Sequence, residues 1–177
     1  MINRSNKNFI LVANDNEARQ IGSFKNTQVI IIGEGRSKVI STLSNLLKEG
    51  IFKSGDKIIN VGYVGGNGYK KGEVVKIGKV KHLFPSKTIN EPTFILQTIN
   101  PDHKIANCCT ADNFVSKDDI DINSPCVIDM ELYYIALMFP QTMSIKVVSD
   151  ELNYSEYANA NFKESWGKVR DLIGSVI

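Results

Sequence analysis

The sequence IINVGYVGGNG at residues 58–68 predicts the class of fold. It begins with apolar, mostly β-branched residues, which are typical of a buried strand, and continues into a glycine-rich segment that we interpret as a turn. Residues 9–13 and 29–32 are also short, continuously apolar runs, as expected of parallel strands buried on both faces. From 39 to 47, apolar residues recur at helical spacing. This strand–helix–strand order predicts a parallel sheet with crossover helices.

The remainder of the chain continues the α/β pattern. Residues 73–84 and 93–99 alternate in places, as β segments do, and 143–148 are predicted to form another buried strand. Helices are predicted over 129–139, where Pro140 follows, and over 162–176. Because no repeat or linker interrupts the chain, we expect one α/β domain spanning residues 1–177. Its sheet should be mixed, mostly parallel and flanked by helices.

Composition excludes several classes of protein. With 42% hydrophobic and 23% charged residues and a net charge of +2, the chain is too weakly basic to indicate a nucleic-acid or membrane-surface protein. The polar N-terminus lacks the apolar core of a signal peptide, and no apolar run approaches the ~20 residues that span a bilayer. We therefore expect a cytoplasmic protein.

Metal and cofactor sites are not indicated. The three cysteines, Cys108, Cys109 and Cys126, show no CxxC spacing, and His82 and His103 have no nearby partner in sequence. The Gly33-Glu-Gly35 segment lacks the third glycine of a dinucleotide fingerprint, and its glutamate would repel a phosphate. We expect reduced thiols, no metal and no cofactor.

Carboxylates follow several of the predicted strands. Asp15 and Glu17 follow the first strand, Asp129 and Glu131 follow a later one, and Asp150 ends the last. Open α/β sheets bind ligands at the carboxyl ends of their strands, which makes these residues candidates for a site. A stabilising interaction with the helix dipole would also explain an aspartate at position 129. It explains the carboxylates of Glu131 and Asp150 less well.

Four segments in order carry a resemblance to a known family. They are NVGYVGG at 60–66, TADNFV at 110–115, VIDMEL at 127–132 and VVSDE at 147–151. Their succession resembles the signatures of the purine nucleoside phosphorylase and methylthioadenosine/S-adenosylhomocysteine nucleosidase superfamily, over roughly residues 9–177. The resemblance implies cleavage of the N-glycosidic bond of a purine nucleoside.

The resemblance also implies residue roles. Asp150 matches the acid that protonates N7 of the purine, and Ser149 would orient it. Such an acid must hold a proton near neutral pH, which burial favours. Glu131 matches the carboxylate that binds the ribose hydroxyls and favours a cationic sugar. Met130 would pack against the sugar and Phe114 would stack on the base. Without the resemblance, we would interpret both as core side chains. The other positions implied in substrate binding are Val115, Tyr63, Val64 and Gly65.

The type of reaction depends on the segment VANDNEAR at 12–19. It resembles the opening of the nucleosidases and places Glu17 on the glutamate that activates the attacking water. Asn60 stands where phosphorylases tend to carry an arginine that clamps phosphate. Hydrolysis is therefore the expectation. Arg19 and Arg36 keep phosphorolysis as the alternative, and a relative that binds a nucleoside without cleaving it is a third.

The sequence also departs from the family pattern. Tyr63 replaces a small serine, so its ring must either swing outward or occupy the pocket. Asp129 replaces a glutamate, and the segment from 73 to 109 is short. The resemblance implies a homo-oligomer, most simply a dimer, that binds a purine nucleoside. The weak net charge and the lack of a long apolar run predict neither nucleic acid nor membrane as a partner. If the interpretation holds, Glu131 and Asp150 must face one cavity.

Overall fold

The structure is a computed structural model that describes residues 6–84, 91–98, 103–120, 124–153 and 162–177. Strands and helices alternate through much of this part of the chain. In chain order they are β1 Asn8–Val12, α1 Asp15–Ile21, β2 Thr27–Ile31, α2 Arg36–Lys48, β3 Lys57–Asn67, β4 Val74–His82, β5 Phe94–Ile95, β6 Ile105–Thr110, β7 Cys126–Asp129, α3 Leu132–Met138, β8 Met143–Asp150 and α4 Lys163–Gly174.

Strand β3 is the centre of the sheet. It pairs in parallel with β1 and β8 and antiparallel with β7. Strand β8 pairs antiparallel with β4, β4 pairs in parallel with β6, and β6 pairs in parallel with β7. The strands β3, β8, β4, β6 and β7 therefore close into a ring, with β1 and β2 extending from β3. The predicted α/β class and the mixed, mostly parallel sheet are confirmed.

The sheet is covered by helices on both sides. Alternate residues of β1 face opposite ways, so that Phe9 and Leu11 pack in the cluster with α2 and α3, whereas Ile10 and Val12 pack in the cluster with α1 and α4. Trp166 of α4 is fully buried in the second cluster. Because β1 is buried on both faces, its residues form the continuous apolar run that indicates a parallel sheet in the sequence.

The glycine-rich segment is not a turn, and the prediction that it was one is wrong. Strand β3 continues through Gly62, Gly65 and Gly66 to Asn67, and the left-handed backbone that a turn needs first occurs at Gly68, with φ of 78°. The glycines within the strand serve close packing instead. A Cβ on Gly66, for example, would lie 2.7 Å from a methyl carbon of Val148.

Two other predicted boundaries also need correction. The helix predicted from residue 129 begins at Leu132, because Asp129 is the last residue of β7. The carboxylate Oδ2 of Asp129 instead accepts the backbone N–H of Leu132 at 3.0 Å, which caps the helix from outside. Of the β segment predicted over 93–99, only Phe94–Ile95 forms a strand, and residue 99 lies outside the described residues.

Tyr133 and Tyr134 are buried core residues, whereas Leu137 is 51% exposed. The three cysteines are buried free thiols. Within the described ranges, no helix is long and apolar enough to cross a membrane.

Candidate active site

A cavity of about 320 Å³ opens at the edge of the sheet where β1, β3, β7 and β8 meet the connections that follow them. Asp15, the other carboxylate that follows the first strand, does not line this cavity. All the catalytic and substrate-binding residues that the resemblance implies do line it. They are Glu17, Tyr63, Val64, Gly65, Phe114, Val115, Met130, Glu131, Ser149 and Asp150. The lining is completed by Ala13, Asn14, Glu34, Asn113, Ile128, Asp129 and Leu152. The volume falls at the lower end of the range of about 300–1,000 Å³ that small-molecule sites occupy.

Strand pairing brings these distant segments together. Because β7 runs antiparallel to the second half of β3, Ile128 lies opposite Gly65, and the residues that follow β7 enter the cavity. Between β3 and β8 the register shifts, since Val64 pairs with Val148 but Gly65 pairs with Asp150. One extra residue therefore bulges in β8, and such bulges re-aim the side chains around them.

Glu17 is held as a buried carboxyl at the start of α1. Its Oε2 accepts the backbone N–H of Ala13 at 2.7 Å, and its Oε1 accepts the backbone N–H of Tyr63 at 2.9 Å. A Cβ on Gly62 would lie 2.7 Å from Oε1, so glycine at that position makes room for the carboxyl. Burial raises the pKa of Glu17 despite Lys146 and the two backbone donors, which lower it.

Glu131 is the residue before α3 and is 8% exposed. Its Oε1 accepts the backbone N–H of Gly35 at 2.9 Å, and its Oε2 accepts that of Met130 at 3.3 Å. Burial, followed by the neighbouring charge of Asp129, raises the pKa of Glu131 to about 7. This carboxyl therefore changes charge near neutral pH.

A buried lysine pairs with Asp129 of the cavity lining, and the sequence analysis did not anticipate it. The Nζ of Lys146 lies 3.0 Å from Oδ2 of Asp129, and both side chains are almost completely buried. Oδ1 of Asp129 accepts the hydroxyl of Thr110 at 2.6 Å. Nearby carboxyls, Asp129 first and then Glu131, keep the pKa of Lys146 above its ordinary value although burial lowers it. The sequence signal was a lysine between the apolar residues Ile145 and Val147 of a predicted buried strand.

Asp150 is 2% exposed and lies at the end of β8. Its Oδ2 is 2.6 Å from the hydroxyl oxygen of Ser149, and that same hydroxyl oxygen is 3.1 Å from the backbone carbonyl of Val64. The backbone N–H of Asn153 donates to its Oδ1 at 3.2 Å. The hydroxyl of Ser149 donates to Oδ2 of Asp150, and the carbonyl of Val64 is a second acceptor within its reach, so Ser149 helps to fix the orientation of the Asp150 carboxyl.

The side chain of Tyr63 is turned toward α4. Its hydroxyl accepts the indole N–H of Trp166 at 2.7 Å, and its ring centroid lies 5.2 Å from the rings of both Trp166 and Phe162. Tyr63 lines one side of the cavity while its hydroxyl is bound outside it. Of the two orientations that the sequence left open, the structure has the outward one.

The wall formed by residues 112–115 is tied to the rest of the fold through Asp112. The hydroxyl of Tyr134 donates to this carboxylate, and Arg36 lies 3.7 Å from it. Phe114, which follows on this wall, is 47% exposed at the rim of the cavity. Arg36 is thus engaged outside the cavity. Across the described residues, no group of three or more His, Cys, Asp or Glu side chains is arranged to hold a metal ion.

Comparison with known proteins identifies the fold. No family model matches the chain. No curated protein matches it either. Among solved structures, a nucleosidase from Chlamydia trachomatis bound to methylthioadenosine superimposes with a TM-score of 0.74 at 20% identity, covering 97% of this chain and 100% of that one. The fold is that of the methylthioadenosine/S-adenosylhomocysteine nucleosidases.

Two further solved structures with this fold match over nearly the whole chain. The Helicobacter pylori enzyme, solved with butyl-thio-DADMe-Immucillin-A, has a TM-score of 0.74 at 12% identity and covers 96% of this chain and 97% of that chain. A nucleosidase-like protein from Francisella philomiragia has a TM-score of 0.73 at 16% identity, covering 96% of this chain and 99% of that chain. At these identities the likeness establishes the nucleosidase fold and leaves the activity to be argued from the site.

Proposed function

We propose that this protein hydrolyses the N-glycosidic bond of a purine nucleoside of the methylthioadenosine or S-adenosylhomocysteine type. One observation carries the proposal. Glu17, Glu131 and Asp150, which come from distant segments of the chain, line a single cavity of about 320 Å³. The nucleosidase fold supports it, and structures with this fold hold methylthioadenosine or adenine.

In the proposed reaction Asp150 is the general acid that protonates N7 of the leaving purine. The hydroxyl of Ser149, which donates to Oδ2 at 2.6 Å, would hold this carboxyl in position. After the proton has moved to the base, the same hydroxyl would stabilise the carboxylate that is left.

The two glutamates act on the sugar and on water. Glu131 would bind the ribose hydroxyls, and its negative charge would stabilise the positive charge that develops on the ribosyl group as the bond breaks. Glu17 would accept a proton from the attacking water. Its burial raises its pKa, which makes the ionised carboxylate a stronger base than an exposed glutamate. The two backbone N–H groups that bind its oxygens fix its orientation.

Water is favoured over phosphate as the nucleophile. Neither lysine nor arginine is found among the described residues that line the cavity. Arg36 pairs with Asp112, and Arg19 lines a different cavity. A phosphate dianion among several buried carboxyls would lack the charge-assisted donors that such sites require.

The test is incubation with methylthioadenosine, S-adenosylhomocysteine, adenosine and inosine, with and without phosphate, followed by chromatography. We expect free base and free sugar without phosphate. Release of base and ribose-1-phosphate only in the presence of phosphate would establish the phosphorylase alternative. Saturable binding with no product in either condition would establish a non-catalytic relative.

Two variants assign the proposed roles. Asp150→Asn should reduce kcat by about 10²–10⁴-fold, because an amide cannot supply the acidic proton. Glu17→Gln should abolish hydrolysis because an amide cannot accept a proton from water. The matched controls are Asp171→Asn and Glu49→Gln, which alter exposed helix positions outside the cavity. Activity in either site variant equal to that of its control would remove that residue from the mechanism.

The predicted homo-oligomer stays a prediction. Phe114 at the rim of the cavity is 47% exposed, and Leu137 is 51% exposed. A second subunit that covered Phe114 would bury apolar surface and exclude water from the base. Light scattering coupled to gel filtration measures the mass in solution, and a monomer would refute the expectation.

A further inference from the structure

The wall formed by residues 112–115 contributes Asn113, Phe114 and Val115 to the lining of the cavity. Asp112, the first residue of this wall, is not among the described residues that line the cavity. Its carboxylate is instead contacted by side chains from three other segments of the chain. In the proposed reaction Phe114 would stack on the purine, so the groups that fix this wall would also fix the position of the base.

Two buried side chains hold one oxygen of the Asp112 carboxylate. The hydroxyl of Tyr134, in α3, donates to Oδ1 of Asp112. Nε2 of His82, the last residue of β4, lies 2.9 Å from that hydroxyl and 3.5 Å from Oδ1. The other ring nitrogen, Nδ1, lies 2.9 Å from the carbonyl oxygen of Phe84 and 3.4 Å from a carboxylate oxygen of Glu91. Contacts on both of its nitrogens therefore fix the imidazole behind the hydroxyl of Tyr134.

The second oxygen of the carboxylate faces Arg36. Nη1 of Arg36 lies 3.7 Å from Oδ2 of Asp112, and its guanidinium carbon lies 5.7 Å from the ring centroid of Tyr134. Arg36 directly follows Gly35, whose backbone N–H donates to Glu131 at 2.9 Å. Asp112 therefore connects the wall beside the base to the segment that holds the proposed ribose carboxylate. The glycosidic bond joins the two groups that these segments would bind.

The surroundings of Asp112 favour its ionised form. Burial raises the pKa of this carboxyl, but hydrogen bonds from Tyr134 and His82 and the charge of Arg36 together lower it below its ordinary value. An ionised carboxylate accepts stronger hydrogen bonds than a neutral acid. The contacts on both oxygens are therefore available at neutral pH.

We infer that Asp112 and Tyr134 are positioning residues for the purine, with His82 holding the hydroxyl of Tyr134 in place. The inference rests on the proposed function and deepens it, because it adds residues that act on the base through the wall and do not touch the substrate. A displaced wall would weaken the contacts to the base equally in the bound substrate and in the transition state. Such a loss raises KM and leaves kcat unchanged.

The experiment removes a single hydroxyl group. Tyr134→Phe deletes the donor to Asp112 and keeps the ring. Tyr133→Phe is the matched control, because it deletes the hydroxyl of the preceding residue in α3, which is not one of the groups that contact Asp112. KM and kcat are measured with methylthioadenosine, and the dissociation constant of free adenine is measured by calorimetry.

Tyr134→Phe should raise KM and the dissociation constant of adenine by about fivefold to tenfold each, which is the size of one net hydrogen bond. The value of kcat should stay close to that of the wild type, and Tyr133→Phe should change none of the three constants. Equal constants in the two variants would overturn the inference. A fall in kcat with an unchanged KM would also overturn it, because that result indicates a loss of folded protein and not a displaced wall.

Variants of Asp112 test the contact from its other side. Asp112→Ala should raise both constants at least as much as Tyr134→Phe does. Asp112→Asn should restore part of the affinity, because its amide oxygen can still accept the hydroxyl of Tyr134. The double variant Asp112→Ala/Tyr134→Phe should bind adenine no more weakly than Asp112→Ala, since both changes remove the same contact. Additive losses would show that the two side chains act independently and would overturn the inference.

The measurements separate this inference from the proposed function. A wild type that neither cleaves methylthioadenosine nor binds adenine would refute the proposed function and the inference with it. A wild type that does both, with the same constants in Tyr134→Phe, would refute the inference alone.

Discussion

Replacing Glu131 with glutamine should change how the stability of the protein depends on pH. Burial and the charge of Asp129 raise the pKa of this carboxyl from its ordinary 4.5 to about 7 in the folded state. The folded protein therefore binds the proton more tightly than the unfolded chain. Glutamine keeps the size of the side chain and removes the titration.

The sign and the magnitude follow from the two values. Because the folded pKa is the higher one, the stabilising effect of protonation is complete below about pH 4.5 and is lost as the pH rises through about 7. Each pH unit between these values corresponds to about 1.4 kcal/mol. The wild type should therefore lose about 3 kcal/mol relative to Glu131→Gln between these limits, as an order of magnitude.

The assay is urea unfolding of both proteins from pH 4.5 to 8.5. The difference between their free energies of unfolding cancels most other titrating groups and should level off above about pH 7.5. Glu49→Gln, which removes an exposed carboxylate at the end of α2, is the matched control and should give a nearly constant difference. A constant difference for Glu131→Gln as well would refute the reasoning, because it would mean that burial does not raise the pKa of this carboxyl.

Two other substitutions test the packing around the site. Lys146→Met should lower the free energy of unfolding at pH 7 by about 3–5 kcal/mol in urea titrations, because it leaves the buried charge of Asp129 without its cation; a loss below about 1 kcal/mol would contradict the ion pair. Gly62→Ala should reduce kcat strongly, because the new Cβ would lie 2.7 Å from the carboxyl oxygen of Glu17. Gly174→Ala, where nothing lies within 4 Å, should leave activity unchanged, and equal activity of the two variants would show that the carboxyl position is not critical.

The sequence predicts those strands whose apolar residues lie next to one another in the chain. Strands β1 and β2 contain continuous apolar runs, at residues 9–12 and 29–31, and that pattern depends on local composition alone. Strand β6, Ile105–Thr110, was missed because its outward positions interrupt the apolar run. Helix α1 was missed although Asn14 caps it by accepting the N–H of Glu17, because seven polar-rich residues give too little periodicity to recognise.

The glycine-rich segment was wrongly predicted to be a turn for a different physical reason. Glycine in sequence indicates a turn when only local conformational freedom is considered. In this protein Gly62 and Gly65 are required because distant side chains, those of Glu17 and Leu152, approach the backbone at these points. Such contacts depend on strand register, which the sequence does not specify.

The position of Lys146 also depends on contacts between distant segments. Its positive charge partly balances the buried carboxyls of the site. Glu17, Asp129 and Glu131 are all buried, and Lys146 is the cation whose charge acts on each of the glutamates and pairs with the aspartate. With every group ionised, three negative charges face one positive charge, which burial makes costly and which raises the pKa of Glu131 to about 7. In the proposed reaction the ribosyl group becomes cationic between these carboxylates. The excess negative charge of the site is then compensated while the bond is breaking, so the site would stabilise the transition state more than the bound substrate.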